Sequence, residues 1–184
     1  MRRTGIGIAI AGSLALAACG GASSSTNSTT TTSNSGGGSG QTVADVIDGF
    51  SGPYSNGTWT NTTFNSTGTA KANVTVDKAA GKVSMQLTLT GSVFGGAAPA
   101  PETFSGKWDA AGAHMSGTSP TFGPYTIEIS KDGKLNMNCP AVPGPRVKTM
   151  SVTGTVTGDK MDLAYGVSFK AGGPAATGTV VITR

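Results

Sequence analysis

From Gly57 onward, apolar and polar residues alternate nearly one for one, and only a β-strand sends successive side chains to opposite faces in that way. Ala70, Ala72, Val74 and Val76 alternate with Lys71, Asn73, Thr75 and Asp77; after a turn, Val83, Met85, Leu87 and Leu89 alternate with Ser84, Gln86, Thr88 and Thr90. The pattern returns in Tyr125-Ile127-Ile129, in Leu135-Met137-Cys139 and in Met161-Leu163-Tyr165-Val167-Phe169. Weaker stretches near 57–64, 102–108, 113–118, 146–156 and 177–184 bring the expected count to ten. Each strand has one wet and one dry face, which makes the fold all-β and antiparallel.

The connections are of two alternating kinds. Residues 77–82, 109–112, 131–134 and 157–160 are short and charged, with Asp and Gly at the turn positions, whereas 91–101, 119–124, 140–145 and 170–176 are longer and rich in Gly, Pro and Ala. Successive connections of an up-and-down meander lie at opposite ends of the sheet. One end is therefore tight and charged, the other loose and proline-rich. An open meander of about 8–10 strands would leave two long edges, and closing it into a barrel removes them. A two-sheet sandwich would use the same alternation and is the alternative. Before the strands, Val43, Val46, Ile47 and Phe50 recur at helical spacing behind Thr42, a cap, and Asp45, which favours a first turn; Gly49 ends the helix. With an even strand count this short helix caps the tight end.

In this arrangement the chain resembles the lipocalin-like, or calycin, barrels, in which a Gly-x-Trp on the first strand is covered by an arginine from near the end of the chain. Gly57-Thr58-Trp59 matches the first element and Arg184 the second. The resemblance implies a barrel closed by contact between Trp59 and Arg184. Gly106-Lys107-Trp108 repeats the spacing, and two tryptophans that simply fill the core would read the same way.

The amino-terminal segment follows different rules. Arg2 and Arg3 precede a short apolar run, Thr4 to Ala15, well below the roughly 20 residues needed to span a bilayer. It reads as the core of a cleaved signal peptide, residues 1–18. Leu16-Ala17-Ala18-Cys19 resembles the lipobox of bacterial lipoproteins, which implies that Cys19 carries the lipid and that the protein sits in the cell envelope, at the outer membrane if the organism has one. Stable anchoring takes about two acyl chains. From Cys19 to residue 41 the chain is almost wholly Ser, Thr, Gly and Asn, a composition expected to remain a disordered linker. The single domain is thus 42–184, tethered at its helix-capped end, with the proline-rich loops expected to face away from the membrane.

Composition narrows the function classes. Without Arg2 and Arg3 the chain has 11 Lys and Arg against nine carboxylates, and no arginine cluster interleaves with aromatics, so no nucleic-acid partner is expected. Once Cys19 is lipidated, Cys139 stands alone, and its alternation with Leu135 and Met137 points it inward as an inert thiol. His114 is the one histidine and is expected to be a solvated strand residue, so neither a metal site nor a cofactor site is expected. No Gly-x-Ser-x-Gly occurs. Asp77, Asp109, Asp132 and Asp159 are turn residues, Asp45 and Asp48 belong to the helix, and Glu128, Glu102 and Asp162 are assigned to polar faces. No catalytic residue emerges, so the chain is expected not to be an enzyme.

Two functions remain open. One is a barrel whose interior, lined by Val74, Met85, Leu87, Ile127, Met137, Leu163 and Tyr165 with Phe94 and Phe122 around the rim, binds a small hydrophobic ligand or lipid. The other is a structural or protein-interaction module of the envelope in which those residues only fill the core. Leu, Ile, Val and Phe make up 27 of the 143 residues from 42 to 184, which favours a packed barrel or a narrow pocket over a wide cavity.

Overall fold

A computed structural model describes residues 42–184; the expected signal peptide, Cys19 and the linker to residue 41 lie outside the described residues. Helix α1 (Val43–Gly49) opens with a reciprocal cap. The Asp45 amide donates to the Thr42 hydroxyl at 3.2 Å, and the Thr42 amide donates to the Asp45 carboxylate at 3.1 Å. Ile47 and Phe50 form the apolar side of this helix and are buried.

Eleven strands follow: β1 (Gly52–Tyr54), β2 (Asn56–Asn61), β3 (Ser66–Asp77), β4 (Lys82–Leu89), β5 (Glu102–Asp109), β6 (Gly112–Ser119), β7 (Gly123–Ser130), β8 (Lys134–Cys139), β9 (Val147–Val156), β10 (Lys160–Phe169) and β11 (Ala176–Thr183). Every pairing is antiparallel. Strands β3 to β11 pair in sequence, β11 pairs with β2, and β2 with β3, so β2 to β11 close into a ten-strand barrel. No barrel edge is left open, and the sandwich alternative falls away. The short β1 pairs only with β3, from Gly52↔Val74 to Tyr54↔Ala72. Beyond Ser55 the register on β3 shifts by one residue, to Thr58↔Thr69. In effect β1 and β2 are halves of one bulged strand.

The two ends are as the turns imply. The tight turns after β3, β5, β7 and β9 gather at one end, where Asn56 of β2 pairs with Thr183 of β11. Helix α1 closes that end, packing against β5 and β6. At the other end, the loops after β4, β8 and β10 surround an open mouth, joined by the short turns after β2 and β6.

Arg184 marks one departure from expectation. It does not cover Trp59. Its guanidinium stacks over the Tyr54 ring at 4.9 Å and donates to the carbonyls of Gly49 (2.9 Å) and Ser51 (2.6 Å). The reason is axial position. Trp59 pairs with Val180, well above the end of β11, and its indole points toward the mouth. Arg184 is therefore a clasp between the last strand and the segment from α1 to β1.

Candidate functional site

The inward positions divide the barrel interior into two compartments. Near α1, Ile47 and Phe50 meet Val74, Val83, Met115, Ile129 and Val156 and leave a residual void of only about 10 Å³. Toward the mouth, the lumen opens into a cavity of about 670 Å³ whose wall is overwhelmingly apolar. A volume of this size lies within the range, about 300–1,000 Å³, of pockets that enclose small-molecule ligands. The narrow pocket inferred from the lean composition is thus replaced by a wide one.

Glycine explains how a lean interior stays open. Trp59 on β2 is in register with Gly68 on β3, and a Cβ at Gly68 would strike the indole. The ring lies across β3 at that glycine and donates from Nε1 to the Thr90 carbonyl, just beyond β4, at 2.8 Å. Tyr165 on β10 does the same over Gly178 of β11, reaching the Thr60 carbonyl on β2 at 3.2 Å. Burial pushes the Tyr165 phenol above its ordinary value, so it remains a donor. Tyr125 covers its partner Gly117 and meets Phe104 edge-on at 4.9 Å. Each ring lies along the wall instead of projecting inward, and the polar tips of Trp59 and Tyr165 are hydrogen-bonded. The indole of Trp59 therefore surfaces the cavity and does not fill it. Trp108, the second tryptophan, is half-buried on β5 and takes no part in the cavity wall.

Of the residues expected in the pocket, Met85, Leu87, Ile127, Met137, Leu163 and Tyr165 line the open cavity. Val74 does not. It belongs to the filled compartment under α1, because it lies on the half of β3 that runs down to the tight end. Phe94 is at the mouth as expected, but Phe122 is not a rim residue: it is buried, its ring tilted against Phe104 (5.9 Å) and edge-on to Phe94 (6.0 Å). The rim is completed by Phe169, the last residue of an alternating run, and by Phe64, which the alternation did not single out. Phe64, in the turn after β2, is the exposed large hydrophobic among the described residues, and it meets Phe169 edge-on at 5.9 Å. Phe94 has φ of +53°, a left-handed conformation unusual for a bulky side chain. Arg146 also lines the mouth and donates to the Gly95 carbonyl at 3.3 Å, tying two mouth loops together.

The remaining candidates lie elsewhere. Glu102, assigned to a polar face, is buried, because it shares the inward parity of Phe104; its carboxylate accepts from the Thr121 amide at 3.1 Å. His114 is not a lone solvated residue. It stands half-buried on the outer wall between Glu128, which accepts at Nδ1, and Asp109, 3.4 Å from Nε2. None of the three lines the cavity. Among the described residues no group of three His, Cys, Asp or Glu is placed to hold a metal ion. Cys139 is fully buried, and burial pushes its thiol up to about 11.

These features define a closed up-and-down antiparallel β-barrel with an apolar internal cavity open at one end. No protein-family profile matches the chain, and no curated protein sequence does. Among solved structures it is similar to an S-type phycobiliprotein lyase from Guillardia theta, at 9% identity and a TM-score of 0.46, over 78% of this chain and 92% of that one.

Proposed function

We propose that this chain is a lipid-anchored protein of the bacterial cell envelope whose barrel binds a small hydrophobic molecule or lipid chain in its lumen. The observation that carries the binding role is the open apolar cavity of about 670 Å³. Burying a methylene is worth about 0.8 kcal/mol, close to fourfold in affinity at room temperature. A homologous series of alkyl ligands is thus expected to gain about fourfold per carbon until the lumen is full, then level off. Displacement of a fluorescent apolar dye measures the series. A flat series, or no displacement by any chain length, overturns the binding role. Leu163→Trp, which puts an indole into the cavity, weakens every member by at least about tenfold.

The envelope role is supported by Leu16-Ala17-Ala18-Cys19 in the sequence. Growth with radiolabelled palmitate followed by fractionation tests it: label and membrane association are both expected to be lost in Cys19→Ser. Label retained by that variant would remove the anchor from the proposal. The alternative of a structural module with a filled core has less support, because the mouth half of the barrel is not filled.

A further inference from the structure

Charge is distributed unevenly along the barrel axis. Eight of the nine carboxylates belong to the closed end: Asp45 and Asp48 on α1, Asp77, Asp109, Asp132 and Asp159 at or beside the tight turns, and Glu128 and Asp162 within three residues of them. Basic residues accompany them there, as in the ion pairs Lys78–Asp48 and Lys160–Asp162. The mouth is different. Arg146, Lys148 and Lys170 stand beside it, against one carboxylate, Glu102, which is buried and already bonded to the Thr121 amide. Arg146 is the charged residue among those lining the cavity. Among the described residues it has no carboxylate within ion-pair distance, and of its five N–H groups one is engaged, on the Gly95 carbonyl.

An apolar tunnel ending at an exposed, unpaired guanidinium selects for a particular molecular shape. We propose that the lumen takes a long-chain amphiphile with an anionic head, a carboxylate or a phosphate, its chain directed inward and its head beside Arg146. The assignment presupposes that the lumen binds an apolar chain. Guanidinium pairs well with either head because both present two oxygens to its planar fork. Asn61 and Ser92, also in the mouth wall, add neutral polar groups at the same level.

Dye displacement by probes of one chain length and different heads separates the two ideas: hexadecanoate, hexadecyl phosphate and uncharged hexadecanol, with the purified protein at about pH 8, where both acids are ionised. The anionic probes are expected to bind about fivefold more tightly than the alcohol, the scale of an exposed ion pair, with the advantage shrinking as salt is raised. Arg146→Gln removes the advantage, so that acid and alcohol then bind with equal affinity; Arg146→Glu turns it into a preference for hexadecylamine. Arg146 is exposed, and an unchanged thermal midpoint verifies that the variants fold. Equal affinity for acid and alcohol in the parent protein, or an advantage that survives Arg146→Gln, overturns the head-group assignment while the chain site stands. If hexadecanol fails to bind as well, the lumen reading falls too. An advantage confined to one of the two anionic probes identifies the head.

Discussion

The two ends of this barrel are built from the same strands with the same alternation, yet one leaves about 10 Å³ empty and the other about 670 Å³. Inward positions near α1 carry Val74, Val83, Met85, Met115, Ile129, Leu135 and Met161, long or branched side chains that converge on Ile47 and Phe50. Toward the mouth, inward positions include Ser66, Gly68, Gly117, Ala176 and Gly178, and large rings lie down over the glycines. Alternation decides which face is dry. Side-chain size, paired across strands, decides whether the dry face meets protein or open space.

Stability is therefore expected to reside at the closed end. Met115→Ala, at a residue 1% exposed, is expected to cost about 2–5 kcal/mol, because the packed neighbours cannot collapse into the space it leaves. Leu87→Ala, facing the cavity, deletes a side chain already half-exposed and costs about 1 kcal/mol or less. Urea unfolding measures both. Equal losses at the two sites would mean that the two ends do not differ energetically.

Next in size is a test of the glycine seats. Gly178→Ala puts a Cβ inside contact distance of both the Thr60 carbonyl on β2 and the Tyr165 ring, so strand and ring must both shift, at an expected cost of about 1–3 kcal/mol as overpacking. The displaced ring enters the lumen, so dye binding weakens along with stability. A variant that loses stability with unchanged dye binding would show that β2 gives way at Thr60 and the ring does not enter the lumen. At the opposite end, Arg184→Ala removes the stacking on Tyr54 and two carbonyl contacts, for an expected loss of about 1 kcal/mol with no change in dye binding. Altered binding in that variant would couple the two ends.

Much of this was legible in local pattern. The strands, the helix, its Thr42 cap and the inequality of the two ends all follow from spacings of a few residues, which is why the expected 102–108 and 146–156 match β5 and β9 within a residue. The partner of Arg184 was not, because Tyr54 sits in a three-residue strand too short to show a period. Nor was the open lumen. It depends on Trp59 facing Gly68 and Tyr165 facing Gly178, pairings fixed by cross-strand register between segments that composition treats separately. Glu102 departs from its expected polar face because strand parity places it inward with Phe104, whatever its charge.

The smallest expected effect concerns pH, and it too separates the ends. His114 lies on the outer wall of the charged end, facing Glu128 on β7 and Asp109 on β5, with Lys107 across from it in register. Partial burial by itself pulls its pKa down, but the hydrogen bonds and negative charge of Glu128 and Asp109 outweigh that, and the net shift is upward from about 6.5. The folded state thus holds the proton more tightly than the unfolded chain does. This contribution to stability is complete below about pH 6.5 and is lost as pH rises through the higher folded value. Asp109 acts in the opposite sense: the Ala111 amide, against a burial penalty and with His114 adding to it, holds its carboxyl below 3.8, so its contribution is lost only as pH falls below that value. His114→Gln is expected to flatten the decline in thermal midpoint above neutrality. Ligand binding at the mouth, where His114 does not line the cavity, is expected to stay constant over the same window. A dye affinity that tracks the His114 titration would contradict the separation, because it would require the packed end to communicate with the open one.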